Sequence, residues 1–519
     1  MSVVKRIDTN LRSRNRDKTL VHGGHDRRGD DTMGDGTLPL VHSFIIDTEL
    51  SHSQLLAYPK FIREHMAFGQ LPGIVMGELE AIASAGGHFM EFKSGPQRGH
   101  YQCQVRVYLE RPIKVEVMSS MGRDQDFEKQ LQNVILMVTQ FFEEEARKST
   151  LYMAFVPGSP KTAAVRQRSS IFRAIFSGNM INLFMLSILI GLVVYAIMSS
   201  IGLRLYAPVA MIALMLSLVL SAGRLVALRS PWKITSNSRE VVLVQHQVPE
   251  GMLQHYVGEY RDRIKVAKGK AYELYAGCPG TVCAESMADV FTNAGLPADK
   301  NDFLVRRIDI YGMVERVAEK FGLSVPTIVI SQDPRPNAAA TGFTKRLGTM
   351  IITMGLLVQL DEKEIELVVG HELSHLRSGD PIVLFSLVVA EYFARVYLYY
   401  QYIGAFLIPY LVFVFWAIFF FGKFLESRAD LEAGLILRKP KVMAESLKKI
   451  GFRRLVLAER FLEPGGSRLG EWLKFDPHPP LYFRIQRLEG LDLDNPPKHP
   501  FLSSVKAVTS GFLHSRHAP

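Results

Sequence analysis

Residues 180–199, MINLFMLSILIGLVVYAIMS, carry no charge, and about 20 apolar residues are what a helix needs to cross the hydrocarbon core of a bilayer. Three further stretches approach this length: YAPVAMIALMLSLVLSAG at 206–223, PIVLFSLVVAEYFARVYLYY at 381–400 and IGAFLIPYLVFVFWAIFFF at 403–421. Together they predict two transmembrane hairpins, 180–228 and 381–421, hence four membrane helices. The competing reading, helices buried in a large soluble core, is disfavoured by the uncharged length. Only 381–400 departs from the pattern. Its Glu391 and Arg395 stand four residues apart, a spacing that pairs them on one helix face, or that fits an amphipathic surface helix.

The charges supply an orientation. The chain has 61 Lys and Arg against 51 Asp and Glu, a net charge of +10. These basic residues form no aromatic-interleaved patch, so a nucleic-acid partner is not expected. Many flank the apolar stretches instead. Lys161, Arg166, Arg168 and Arg173 precede the first, Arg204 alone separates the first two, and Arg224, Arg229 and Lys233 follow the second. Lys423 and Arg428 follow the fourth. By the positive-inside rule, both termini and all large soluble parts face the cytoplasm, and the lipid bilayer is a partner. Residues 1–38 are charged and lack an apolar core, which predicts a disordered basic tail and no secretory signal. Three cysteines without CxxC spacing are no disulfide framework and fit a reducing compartment.

These boundaries predict an α/β protein with membrane helices. Residues 39–157 read as a soluble α/β domain, because YQCQVRVYLE and IKVEVMSS alternate like strands and DFEKQLQNVILMVTQFFEEEARKS has helical spacing. It holds no catalytic constellation, and its reading is a regulatory or interaction domain. A polar linker occupies 158–179, and a soluble insert occupies 229–300 with AGCPGTVCAESMADVFTNAG as an irregular piece. Residues 301–490 form the next domain and contain the hairpin 381–421; NDFLVRRIDIYGMVERVAEKFG at 301–322 reads as one amphipathic helix. Residues 491–519 read as a C-terminal tail.

The chemistry concentrates in DEKEIELVVGHELSHLRSGDP, residues 361–381. Asp361 followed by Glu364 predicts a capped helix start, and Gly379 and Pro381 predict its stop. His371 and His375 then lie one turn apart on one face, where two imidazoles can converge on one zinc ion, and Glu372 is placed to act as general base on a water. The spacing alone also arises by chance. A third ligand is offered by FLESRADLEAG, 424–434, in which Glu426 can bind the metal and Asp430, one turn later, can accept the N–H of a ligating histidine. A charged, exposed helix face is the plainer reading of that segment alone. PHPPLYFRIQRL, 477–488, holds His478, a candidate donor to the oxyanion of a tetrahedral intermediate, and Arg484, a candidate substrate contact; a proline-rich turn before a surface helix is the alternative. Finally, PNAAATG offers Asn337, Ala338, Ala339, Ala340, Thr341 and Gly342 as an edge strand for a peptide substrate.

The order PNAAATG, LDEKEIELVVGHELSH, ESRAD, HPPLYFRI resembles the membrane metallopeptidase family of HtpX and the CAAX prenyl endopeptidases. With two apolar spans before HELSH and two between HELSH and ESRAD, it resembles the HtpX branch most, over roughly 175–225 and 300–490. The resemblance implies a gluzincin fold, one Zn2+ per subunit on His371, His375 and Glu426, and Glu372 as the catalytic glutamate. It implies an endopeptidase acting on membrane or misfolded proteins at the cytoplasmic face. A prenyl-CAAX protease is the sibling reading, and a catalytically inactive scaffold working through its N-terminal domain is the reading from another class. In the family pattern PNAxATG an aromatic commonly stands where this chain has Ala339, which bears on the substrate edge and not on the metal.

Overall fold

The computed structural model describes residues 40–66, 74–156, 180–217, 232–342, 348–395, 406–461 and 468–515, apart from short gaps within them, together with Lys5 and Arg6. The chain divides into two units, Met1–Thr150 and Leu151–Pro519.

The first unit is an antiparallel sheet with two helices. Its strands are β1 (Lys5–Arg6), β2 (Leu40–Ile46), β3 (Ile74–Ser84), β4 (Gly87–Pro96), β5 (Cys103–Tyr108) and β6 (Ile113–Ser119), in the order β1-β2-β6-β5-β4-β3. The helices are α1 (His52–Met66) and α2 (Gln125–Lys148). Strict alternation drives the layering. Val105, Val107, Val115 and Val117 are buried in one cluster with Leu55 and Leu131 of the helices. Between them stand charged residues, and Arg106 meets Glu91 across the strands at 2.9 Å. Lys5 and Arg6 pair with Ile45 and Phe44, where a disordered tail was expected; the rest of 1–38, and the linker 158–179, lie outside the described residues.

The second unit opens on β7 (Thr150–Phe155), which joins β9 (Glu240–Gln247) and β10 (Phe303–Asp309) in a sheet of order β10-β9-β7. This corrects two expected boundaries. The N-terminal unit stops near 150 and not at 157, and 229–300 is no separate insert. β9 and β10 are zipped in register from Phe303↔His246 to Asp309↔Glu240. Val241 and Leu243 of β9 enter one core, and Val242 and Val244 enter another that includes Tyr272 and Phe291. A strand covered on both faces reads as a continuous apolar run, which is what EVVLVQHQ is.

Two local readings also change. FLVRRID is the strand β10, and the helix begins only at α4 (Ile310–Phe321), where the Asp309 carboxylate accepts the Gly312 N–H at 2.8 Å. The piece expected to be irregular contains a helix, Ala284–Thr292, whose N-cap is Cys283.

A second sheet, order β12-β13-β11-β8, is built from β8 (Lys233–Ile234), β11 (Thr327–Ser331), β12 (Ala338–Thr341) and β13 (Thr349–Thr353). β11 runs parallel to β13, while β12 runs antiparallel to β13 and forms the edge. Against this sheet pack α5 (Glu362–Ser378), α8 (Pro440–Phe461) and α9 (Leu481–Glu489), through Val369, Leu373, Leu447 and Ile485 among others.

The apolar segments are helical where described: α3 (Met180–Ser200), Arg204–Ser217, α6 (Asp380–Phe393) and α7 (Leu407–Ile436). Among the described residues, α7 is the one helix long and apolar enough to cross a membrane. α6 has 14 residues, about 21 Å of helix, and 396–405 lie outside the described residues. Just past its end, Arg395 Nε donates to Glu391 Oε1 at 3.0 Å, so this pair does form. The C-terminal segment is not a tail. Its helix α10 (Pro500–His514) lies along α7, with the Phe512 ring 5.2 Å from that of Phe420.

Candidate metal centre

The centre begins with how α5 is terminated. Asp361 Oδ1 accepts the Glu364 N–H at 2.8 Å, and Glu364 Oε2 accepts the Asp361 N–H at 2.9 Å, the capping box expected from the sequence. At the other end Gly379 adopts the left-handed region, φ 71°, and its N–H closes onto the carbonyls of His375 and Leu376. That turn places Asp380, the first residue of α6, beside the helix it has just left. Gly370 allows α7 to come close, since a Cβ there would lie 2.8 Å from Leu437 Cδ1.

The result is a convergence of three side chains from two helices. His371 Nε2 and His375 Nε2 are 3.2 Å apart. Glu426 Oε2 lies 3.3 Å from the first, and Glu426 Oε1 lies 3.5 Å from the second. One ligand atom from each of the three falls within 4.8 Å of the others. The two Nδ1 atoms point away from this centre. His371 Nδ1 is 2.9 Å from Asp430 Oδ1, and His375 Nδ1 is 2.6 Å from Asp380 Oδ2.

The donor set suits a divalent cation. Two imidazole nitrogens and one carboxylate are a common zinc ligand set that leaves a position open. Glu426 Oε2 is buried and accepts no hydrogen bond, a state that costs free energy unless a cation stands nearby. Electrostatics agree. Burial alone would lower the proton affinity of His371, but the adjoining Asp430 and Glu426 carboxylates outweigh it and hold the pKa at about 10. Burial pushes the Glu372 carboxyl up, with the two histidines opposing.

Each expected site residue has a definite place. Glu372 faces the edge strand, and its Oε2 accepts the Ala340 N–H at 2.9 Å. Ala338, Ala339, Ala340 and Thr341 make up β12, half-buried, with Gly342 just after it. Asn337 is tied to Thr353 through backbone N–H and C=O. His478 Nε2 lies 3.4 Å from Glu426 Oε2, and its side chain is 42% exposed. Arg484 departs from the expectation of a substrate contact. It is buried, and its guanidinium grips Asp430 through two hydrogen bonds of 2.6 and 2.7 Å, because a planar fork matches a carboxylate.

Three residues escaped the sequence reading. Asp380 went unread between Gly379 and Pro381 of the helix stop. Arg428 counted only as a flanking positive charge, yet it is buried and its Nη2 donates to Asp380 Oδ2 at 2.6 Å. Lys423, counted the same way, is fully buried. For Lys423 the signal available was spacing, because 423, 426 and 430 recur at one-turn intervals on α7.

Comparison with known proteins finds relatives over the same stretch of chain. Residues 306–492 match the model of peptidase family M48. Protease HtpX of Idiomarina loihiensis is 28% identical over 203 residues, covering 35% of this chain and 71% of that protein. A protease HtpX homolog of Listeria monocytogenes is 28% identical over 222 residues, covering 35% and 73%. A crystal structure of S. mikatae Ste24p, 13% identical, covers 46% of this chain and 63% of that chain at a TM-score of 0.29, too low to carry an argument. Residues 306–492 thus carry the sequence features of peptidase family M48, and over about a third of its length the chain is similar to the protease HtpX.

Proposed function

We propose that this protein is an integral-membrane zinc endopeptidase that hydrolyses peptide bonds of membrane or misfolded proteins at the cytoplasmic face. The observation carrying this reading is the convergence of His371, His375 and Glu426 on one point, with Glu372 on the same helix turned toward an edge strand.

His371, His375 and Glu426 would hold the metal. Zinc, when bound, supplies Lewis-acid polarisation of a peptide carbonyl and lowers the pKa of water. Glu372 takes a proton from the attacking water and passes it to the leaving amine. The substrate lies as an added strand along Ala338–Gly342, so its backbone is read by main-chain hydrogen bonds and its sequence only loosely. Half-exposed His478, beside Glu426, donates to the oxyanion. Asp430 and Asp380 orient the two ligand imidazoles from behind, and Arg484 and Arg428 fix those carboxylates.

The membrane assignment is supported by α7, whose apolar half runs into its site half without a break. Glu426 lies only five residues past the apolar stretch, about 7–8 Å of helix, so the centre would sit at the membrane surface. Metal analysis of the detergent-solubilised protein, together with a casein degradation assay, tests the reading. One zinc per chain and chelator-sensitive proteolysis are expected; a metal-free, inactive protein would leave the scaffold reading in its place.

A further inference from the structure

We propose that Lys423 is a positioning residue for His478, fastening the turn that carries this histidine to the helix that carries Glu426. The inference rests on the reading of His478 as the oxyanion donor.

Lys423 sits one helical turn before Glu426 on α7 and is completely buried. Its ammonium donates to two backbone carbonyls of the same turn, that of Asp476 and that of His478, the latter at 3.2 Å. A buried ammonium is costly unless it is hydrogen-bonded, and charge-assisted bonds of this kind are stronger than neutral ones. The turn is closed from within as well. Asp476 Oδ1 accepts the His478 N–H at 3.0 Å and lies 2.8 Å from His478 Nδ1. The helix also meets the turn closely beside Lys423, where a Cβ on Gly422 would stand 2.9 Å from Pro477 Cβ. Lys423 therefore fixes the backbone on both sides of Pro477, Asp476 fixes the ring, and Nε2 is presented toward Glu426 at 3.4 Å.

The geometry makes a specific demand on this turn. A misplacement of roughly 1 Å in such a group can cost about 10²-fold in rate. The test compares Lys423→Met, His478→Ala and the double variant of the full-length, zinc-loaded protein on a casein-derived peptide. Lys423→Met is expected to lower kcat by roughly 10- to 100-fold, with KM and zinc content unchanged. The double variant is expected to be no slower than His478→Ala alone, because Lys423 acts through that residue. Hydrogen exchange in the metal-free protein provides a readout independent of catalysis, and the His478 amide should exchange faster in Lys423→Met. If Lys423→Met does not fold, Gly422→Ala, which pushes Pro477 away without removing a charge, takes its place in the same cycle. Wild-type kcat with unchanged exchange, or losses that multiply in the double variant, would overturn the proposal. Full activity in His478→Ala would instead remove the oxyanion reading and the inference with it, whereas an inactive wild-type protein would sink the peptidase reading and leave exchange to decide whether Lys423 holds the turn.

Discussion

Asp380 Oδ2 stands 2.6 Å from His375 Nδ1 and 2.6 Å from Arg428 Nη2. Asp430 repeats the arrangement on the other side, 2.9 Å from His371 Nδ1 and gripped by Arg484. Each imidazole thus has a carboxylate behind it and each carboxylate an arginine. Such outer contacts set ring orientation and tautomer, leaving both Nε2 atoms facing inward.

Loss of either carboxylate should therefore weaken the metal without removing a ligand. Asp380→Ala and Asp430→Ala are each expected to lower zinc affinity by about 10–100-fold, and Glu426→Ala by more. Competition with a chromogenic chelator measures this. Equal affinities in Asp380→Ala and the parent protein would show that the second acid is idle.

Glu372→Gln is expected to keep zinc and fold and to lose proteolysis, since its carboxylate lies beside the edge strand and outside the three-ligand cluster. Turnover and metal content of the same preparation decide it. Retention of more than a small fraction of parental activity would take the general-base role away from this residue.

Glu445, outside the three-ligand cluster, provides a stability handle. Burial, with the neighbouring Glu364 carboxylate second, pushes its carboxyl from 4.5 up to about 7. The folded state therefore binds more protons than the unfolded state between about pH 4.5 and 7, and stability falls as pH rises through that window. Glu445→Gln should remove this loss, so the variant gains in Tm over the parent as pH goes from 4.5 to above 7. A Tm difference that is flat across this range would refute the assignment.

Topology is tested with single cysteines at 165, 202, 235, 401 and 440 in a cysteine-free background. Four crossings with basic flanks inside predict labelling of 202 and 401 from outside, and of the others only after permeabilisation. Labelling of 440 from outside would put Glu426 on the wrong side of the bilayer and refute the model.

Local chemistry was legible in the sequence by itself. The four-residue spacing of His371 and His375, the Asp361–Glu364 cap and the Gly379 stop are one-turn relations that periodicity and capping specify without help from the rest of the chain. The apolar stretches were equally plain, being a matter of composition. The ExxxD pair was visible too, though only as a possibility, because a one-turn acidic pair is common on solvated helices.

Tertiary structure decided which charges belong to the site. Lys423 and Arg428 look like membrane-flanking charges, and Arg484 looks like a surface residue ready for substrate, yet all three are buried with backbone or carboxylate partners. Burial depends on what packs opposite, and the residues opposite come from other helices and turns. The same holds for the strands. β7, β9 and β10 are brought together from across the chain, and no local pattern records a pairing between segments so far apart, so boundaries drawn by composition cut through a sheet that only the folded chain assembles.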